Sequence, residues 1–275
     1  SSWLALMSDR LEASKKLMNK ASILCATIDD VELCNLQQLL DYQFGYQNKM
    51  GNVVIRNNPS GRSTTQGMSI AHEYALLYSI SDEASLGRLP RTEKQDARYK
   101  EVDEHGKFEW VNFRKHGGTK EESPSMYYPI FATNNTIRLP KLEWNDVSRE
   151  WILLESPLES ETVIYPIDEH GLARRWKWGI DRFSREIHQS KVSLDKNKEL
   201  GIYIKSRMND EGVLPLTWWE QKEYSATAYG TNLLKDIFRN LQSFSYPKSL
   251  FAVQDMLRVL SGKNFNNSRD RKSVV

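Results

Sequence analysis

A continuous apolar run at residues 22–28 lies between two segments that repeat apolar side chains at helical spacing. Unbroken runs of this length are typical of strands covered on both faces, as in a parallel sheet flanked by helices. The first periodic segment covers residues 2–19, and the second follows Asp29 and Asp30. Residues 2–45 therefore predict helix, strand and helix, a piece of a doubly wound α/β fold. Asp29 and Asp30 are expected to cap the second helix, with direct ligand contact as the alternative.

A long hairpin is predicted next. Residues 52–56 and 72–79 have the composition of strands, and the stretch between them is polar and contains Asn, Ser, Thr, Gly and Arg. A polar loop held by a rigid hairpin is a usual carrier of function, because the strands fix its position. A solvated loop without a role is the alternative.

From about residue 81 the helical periodicity fades, and Pro, Gly and aromatic residues alternate with charged ones. The whole chain has 8 Trp, 12 Tyr and 9 Phe, a load that excludes wholesale disorder. Its formal charge is only +2, so attraction to nucleic acid must come from local clusters. Residues 171–191 are such a cluster, with six basic and two acidic residues around Trp176 and Trp178. This composition predicts phosphate contact with base stacking; an amphipathic core helix with a solvated basic face is the alternative.

The two ends of the chain have unusual features. Residue 1 is Ser, and a helical pattern begins directly after it, which predicts an internal fragment. The last six residues match the translation of a common sequencing adapter in one frame, so we expect residues 270–275 not to be native; a natural flexible tail is the alternative. Helical periodicity returns in residues 229–260, where Lys248 and Ser249 precede the last apolar helix. The free amides of that helix would point toward them.

Several kinds of site are missing from the sequence. It has no Gly-rich phosphate loop of the common patterns, no Gly-x-Ser-x-Gly, and no His paired with Cys or Glu at metal-ligand spacing. No catalytic residue and no metal site is predicted from spacing alone. The two cysteines suit a reducing cytoplasm, and no apolar run approaches the 18 residues of a membrane span, so a cytoplasmic protein is expected.

The order of the segments resembles adenine-specific DNA methyltransferases of the class that includes the modification subunits of type III restriction-modification systems. The motifs that carry the resemblance are Ser2-Trp3-Leu4-Ala5-Leu6-Met7 with Arg10-Leu11, Ile23 to Asp30 with Asn35-Leu36, the 57–66 loop with His72-Glu73-Tyr74, Tyr128-Pro129-Ile130, Gly230 to Phe238, and Phe244-Ser245-Tyr246-Pro247-Lys248-Ser249. The family usually has Pro where Ser249 stands. Its catalytic Asp-Pro-Pro-Tyr and its Phe-x-Gly-Ser-Gly cofactor loop do not occur in this chain.

The resemblance implies an α/β fold, with a partial Rossmann-like methyltransferase sheet and a large, mixed, β-rich target-recognition insertion. It divides the chain into a partial catalytic domain, a DNA-reading region, a return to the catalytic domain and a non-native tail, at residues 1–80, 81–228, 229–262 and 263–275. The implied reaction transfers a methyl group from S-adenosylmethionine to the exocyclic amino group of adenine in double-stranded DNA. A second copy of the chain and a restriction subunit are the further partners that it suggests.

The resemblance also assigns candidate residues. Cofactor contacts are expected from Tyr246, Pro247, Lys248 and Ser249. DNA or base contacts are expected from Arg56, Asn57, Asn58, Arg62, His72, Arg174, Arg175, Trp176 and Lys177. Without the two missing motifs, little or no activity is expected of this chain alone. The alternative functions are a non-enzymatic, sequence-specific DNA-binding module and an assembly partner of another subunit.

Overall fold

The computed structural model describes residues 2–61, 67–195, 198–239 and 245–262. The chain divides into two compact units: unit 1 is Ser1–Arg91 with Glu211–Val275, and unit 2 is Thr92–Asp210. No helix within the described ranges is long and apolar enough to cross a lipid bilayer. Unit 2 begins and ends inside the range 81–228, which the resemblance assigns to DNA reading. The reason is that Leu89 pairs with Val213 and that Gly87 N donates to Val259 O, which ties the flanks of this range to unit 1.

Unit 1 is mixed α/β. Its elements are α1 (Ser2–Lys16), β1 (Ile23–Ile28), α2 (Leu33–Phe44), β2 (Lys49–Ile55) and β3 (Glu73–Ser79), followed after unit 2 by β15 (Trp218–Trp219), α5 (Asn232–Ile237) and α6 (Leu250–Leu260). The predicted helix, strand and helix at the start of the chain and the predicted hairpin of β2 and β3 are confirmed. The second helix ends at Gly45, whose φ of 89° suits glycine.

The sheet of unit 1 has the order β1-β3-β2-β15. β3 runs antiparallel to both β1 and β2, and β15 runs parallel to β2. β1, β2 and β15 therefore share one direction. The apolar run predicted a strand covered on both faces, as in a parallel sheet. The strand beside β1 is antiparallel, because the returning strand of the hairpin inserts between β1 and β2. Among the described strands, β1 lies at the edge of the sheet, and its side chains are only partly buried. An apolar run by itself does not indicate which strand will lie beside it.

Helices cover both faces of this sheet, and β3 shows this most clearly. Ala75 and Leu77 pack with α6, while Leu76 and Tyr78 pack with α1 and α2. The alternation follows from strand geometry, in which successive side chains point to opposite faces. Burial raises the pKa of the Cys25 thiol on β1 to about 12, so this thiol stays protonated.

Unit 2 is rich in short antiparallel strands. Its elements are α3 (Glu93–Asp96), β4 (Glu101–Asp103), β5 (Gly106–Asn112), β6 (Arg114–Lys115), β7 (Ile130–Ala132), β8 (Ile137–Arg138), β9 (Leu142–Asn145), β10 (Glu150–Leu153), β11 (Thr162–Ile164), β12 (Arg175–Trp176), α4 (Ile180–Glu186), β13 (Ser190–Leu194) and β14 (Leu200–Arg207). They form a four-stranded sheet, β13-β14-β5-β4, a three-stranded sheet, β11-β7-β8, and the pairs β10-β9 and β12-β6.

Aromatic rings fill the core of unit 2. Phe113 stacks on Trp176 at 4.9 Å between ring centres and on Phe183 at 5.0 Å. Tyr128 is fully buried and donates its hydroxyl to the carbonyl of Trp178 at 2.9 Å. Large rings bury much apolar area each, which lets a unit of short strands build a core.

Candidate functional site

The strands of unit 1 bring polar residues to one edge of its sheet. β1, β2 and β15 end at this edge because they share a direction, and β3 begins there, with Tyr74 opposite Ile28 and Glu73 opposite Ile55. In open α/β sheets, ligands bind outside the carboxyl ends of co-directional strands. We define Asp30, His72, Glu73, Tyr74 and Lys248 as the carboxyl-edge cluster.

Three members of the carboxyl-edge cluster form a connected polar group. His72 Nε2 lies 2.9 Å from the Tyr74 hydroxyl and 3.7 Å from Asp30 Oδ1. Burial, and after it the nearby Asp30 carboxylate, raise the pKa of the Tyr74 hydroxyl, so the phenol keeps its proton and can donate at neutral pH. The side chains of His72 and Asp30 are 30% and 40% exposed, so both can reach a ligand.

Asp30 and Asp29 do not cap the second helix. The residue at its N-cap is Glu32, which makes no capping bond through its side chain. Asp29 Oδ1 instead accepts the amide of Val31 at 3.1 Å in a local turn. The prediction of capping was wrong because the turn after β1 takes more residues than a direct strand-to-helix junction, which leaves Asp30 beside His72.

Lys248 and Glu73 join two segments that are 175 positions apart in sequence. The Lys248 ammonium contacts Glu73 Oε2 directly, and the Glu73 side chain is only 10% exposed. Lys248 keeps 37% of its side chain exposed. An ammonium has three donors, so it can hold Glu73 and a second acceptor at once.

The other residues of the 246–249 segment have different environments. Tyr246 is largely exposed, and Pro247 is half-buried. Ser249 is buried, where its hydroxyl donates to Glu223 O at 2.7 Å and accepts from Ala252 N as the N-cap of α6. The fold uses the donor of this hydroxyl and one of its two acceptor lone pairs, so contact between Ser249 and a cofactor stays a prediction.

A π-helical turn, Thr227–Thr231, supports this segment from behind. Gly230 lies so close to it that a Cβ at this position would sit 2.7 Å from Lys248 O. The residue before the turn, Ala226, donates its amide to Asn57 O at 2.8 Å. One short turn thus fixes both the hairpin loop and the backbone of Lys248. Turns of this type inside helices are frequent at functional sites.

The hairpin loop places its predicted residues around the same edge. Arg56 N donates to Trp219 O at 2.8 Å, and its guanidinium lies 3.4 Å from Pro59 O. Asn57 is buried, and Asn58 N closes the loop by donating to Ala71 O at 3.1 Å. Arg62 lies outside the described residues.

The predicted basic residues of unit 2 do not form one uniform surface. Trp176 is 2% exposed, its Nε1 donates to Tyr128 O at 2.7 Å, and Phe113 covers one ring face. The structure therefore contradicts its expected stacking on a base, since the ring belongs to the core. Arg174 binds Asp168 at 2.7 Å, Arg175 donates to a serine hydroxyl, and Lys177 is exposed.

Three curated proteins align with nearly the whole chain. The chain is 28% identical over 264 residues to the type II methyltransferase M.KpnI of Klebsiella pneumoniae, an alignment that covers 94% of the chain. It is 26% identical over 273 residues, 96% of the chain, to the EcoPI Mod subunit of Escherichia phage P1, a type III restriction-modification enzyme. The EcoP15I Mod subunit of Escherichia coli is 31% identical over 281 aligned residues, 94% of the chain.

The chain is similar over most of its length to restriction-modification methyltransferases. It spans 58% of the length of M.KpnI and 40% of each of these two Mod subunits. No family model matches it.

Some candidate residues were not found from the sequence. Glu73 was noted only as part of a motif, and its contact with Lys248 depends on tertiary folding. Arg114 and Lys115 lie in a two-stranded ribbon with Arg175, about sixty positions away, and His116 follows directly after the strand. The one available signal was the run Arg114-Lys115-His116 before Gly117-Gly118, a basic stretch that leads into a turn.

Acid should weaken unit 2 through Asp168. Amides of Leu172 and His170, together with Arg174, hold the pKa of this carboxyl at about 2. A lowered pKa stabilises the fold above the ordinary Asp value of about 3.9, and the contribution is lost as pH falls through about 2. We expect Asp168→Asn to lower the urea midpoint at pH 7 and to converge with the parent near pH 2. A difference that stays constant from pH 7 to pH 2 would contradict this role.

Proposed function

We propose that the chain is part of a cytoplasmic, site-specific DNA methyltransferase, the modification component of a restriction-modification system. In this proposal the reaction transfers a methyl group from S-adenosylmethionine to the exocyclic amino group of adenine in double-stranded DNA. The observation that carries the proposal is the carboxyl-edge cluster, in which Lys248 meets the strand of His72, Glu73 and Tyr74. The resemblance assigns these two segments to the cofactor side and to the base pocket of one active site.

The residues present fit S-adenosylmethionine on one side. The Lys248 ammonium can hold the carboxylate of the cofactor while Glu73 orients it, and the exposed ring of Tyr246 can cover an apolar surface of the ligand. The Ser249 hydroxyl already donates to Glu223 O and caps α6, which leaves it one acceptor lone pair and no donor for the cofactor. The cofactor supplies the reactive methyl group when bound, and these side chains bind and orient.

The hairpin side of the cluster suits a base turned out of the duplex. Such a base must leave its stack at a cost of a few kcal/mol, which a pocket repays by hydrogen bonds to its edge. His72 and Asp30 are partly exposed and the protonated Tyr74 lies beside them, so this edge offers both donors and acceptors. Unit 2 and the hairpin loop with Arg56, Asn57 and Asn58 would supply the remaining DNA contacts.

The chain by itself is expected to turn over little substrate. It has neither Asp-Pro-Pro-Tyr nor a Phe-x-Gly-Ser-Gly loop, the motifs that the resemblance assigns to the reacting amino group and to the cofactor. Incubation with radiolabelled S-adenosylmethionine and adenine-containing duplex DNA should give label at background level. Robust transfer by the chain alone would refute this expectation.

A chimeric protein tests the proposed reaction directly. The segments that flank the aligned region in M.KpnI would be joined before Ser2 and after Gly262, which leaves out the tail, and nucleosides from treated DNA would be separated by mass spectrometry. We expect methyladenine that depends on S-adenosylmethionine. Methylcytosine instead would overturn adenine specificity, and the absence of any methylated base in a folded chimera would count against the enzyme.

A pair of lysine variants of the chimera tests the cofactor side. Lys248→Ala should weaken S-adenosylmethionine binding about tenfold or more, because a hydrogen bond to a charged group contributes roughly 1.5–3 kcal/mol. Lys235→Ala, an exposed lysine on α5, serves as the matched control and should bind as the parent does. Equal affinities of the two variants, measured by calorimetry, would exclude Lys248 from the cofactor site.

The alternative function is a non-enzymatic, sequence-specific DNA-binding module, for which the local cluster of basic residues in unit 2 is the observation. That function requires salt-dependent binding of duplex DNA with no affinity for S-adenosylmethionine in either the chain or the chimera. A second copy of the chain and a restriction subunit are the further partners that we propose.

A further inference from the structure

Two segments of unit 2 form a small, basic, two-stranded ribbon. β6 and β12 pair antiparallel, with Lys115 opposite Arg175 and Arg114 opposite Trp176. Trp176 is buried and the Arg114 side chain is 16% exposed, so that pair faces the core. Lys115 is exposed and Arg175 is half-buried. We define residues 114–119 and 174–177 as the basic ribbon.

Within the described part of the chain, no ion pair neutralises the cations at the centre of the ribbon. Lys115 and Arg175 carry like charges on directly opposed residues, an arrangement that destabilises a sheet. Among the described residues, no carboxylate lies within ion-pair distance of Lys115, Arg175 or Lys177. Burial lowers the pKa of the Lys177 ammonium, and the charge of the more distant Glu109 carboxylate acts in the opposite direction. The neighbouring cations, by contrast, each form an ion pair: Arg114 with Glu169, Arg174 with Asp168 and Lys120 with Glu150.

The turn that leads away from Lys115 is narrow and lies on Arg175. Gly118 has a φ of 85°, and a Cβ there would meet the Arg175 guanidinium at 2.5 Å. Arg175 Nη1 donates to Ser123 Oγ at 2.6 Å, and its buried Nε has no hydrogen-bond partner in the described structure. His116 and Gly117 are exposed above it. The Arg175 guanidinium therefore packs against the turn at Gly118 and adds a positive charge there.

We propose that the basic ribbon binds the phosphate backbone of duplex DNA at a groove, through Lys115, Lys177 and the exposed turn at His116 and Gly117. A two-stranded ribbon has the width that the major groove of B-DNA admits. The ribbon keeps opposed cations at its centre, which an anionic polymer would neutralise. This inference deepens the proposed function, on which it rests, by assigning the DNA contact of unit 2 to one element.

Anisotropy of a labelled 30-base-pair duplex of mixed sequence, measured across a salt series, tests the proposal on the full chain. Each lost phosphate contact lowers the slope of log K against log salt by about 0.9, which amounts to roughly tenfold in affinity near 0.1 M salt. The double variant Lys115→Ala with Lys177→Ala should therefore lose about two units of slope. Lys107→Ala with Lys141→Ala removes the same charge from exposed lysines elsewhere in unit 2 and should change the slope little.

A charge reversal separates binding from folding. Lys115→Glu places opposite charges across the ribbon, so the melting temperature should equal or exceed that of the parent while DNA affinity falls. Equal loss of slope in the ribbon variant and the control variant, or parental binding by Lys115→Glu, would overturn the assignment and leave the proposed function standing. Failure of the parent chain to bind any duplex at low salt would overturn both.

Discussion

Trp176→Ala is expected to destabilise unit 2 by about 3–5 kcal/mol, the usual cost of removing a large ring from a packed core. The ring is 2% exposed, it stacks on Phe113, and its Nε1 donates to Tyr128 O. Truncation leaves a cavity against Phe113 and an unpaired carbonyl at Tyr128, and neither can be refilled without moving the core. Urea unfolding followed by circular dichroism should show a transition at much lower denaturant.

The matched control is Trp218→Ala, which truncates a side chain that is 49% exposed. Its cost should be well under half of that for Trp176, because less area returns to water and no closed cavity forms. If Trp176 instead stacked on DNA bases, its variant would unfold like the parent and lose only DNA affinity. A parental unfolding curve would therefore restore the interpretation that the structure contradicts.

The misinterpretation of Trp176 shows what local composition cannot decide. Arg175-Trp176-Lys177-Trp178 alternates basic and aromatic residues, and both a stacking surface and a half-buried strand have that pattern. The structure buries both indole rings and leaves Lys177 outside. The ring partners, Phe113 and Tyr128, distinguish the two, and the nearer of them, Tyr128, is 48 positions from Trp176 in the chain.

The helices and strands of unit 1 that are determined by residues close together in the sequence could be predicted. Helical spacing predicted α1 and α2, and the apolar run predicted β1. The direction of the strand beside β1 could not be predicted in the same way, because both a parallel and an antiparallel neighbour bury apolar residues. The chain instead inserts β3, whose two apolar faces pack against helices on both sides of the sheet.

The candidate site follows the same division. His72, Glu73 and Tyr74 were visible as one motif, and Lys248 as part of another. Their contact depends on the hairpin register, on how α6 packs against the sheet and on the π-helical turn. The hairpin and α6 were visible in the sequence, but the register, the packing and the π-helical turn were not. The role of Ser249 could be anticipated in part, since Ser before an apolar periodic segment is a usual helix cap.

Gly230→Ala is expected to cost about 1–3 kcal/mol, the range for overpacking a filled site. The added methyl group would lie 2.7 Å from Lys248 O and 3.2 Å from Pro247 O, and both are backbone atoms that cannot rotate away. The 247–248 backbone must therefore move, and the ammonium of Lys248 would move with it relative to Glu73. Chemical denaturation of the chain measures the first effect, and S-adenosylmethionine affinity of the chimera measures the second.

Gly117→Ala provides the control, because nothing lies within 4 Å of the Cβ that it adds. That variant should be as stable as the parent or gain a few tenths of a kcal/mol, since alanine restricts the unfolded chain more than glycine does. A loss confined to Gly230→Ala would tie the stability of unit 1 to the close approach of the π-helical turn and Lys248. Equal unfolding midpoints for the two variants would mean that the segment yields without strain, and the turn would then not determine where Lys248 lies.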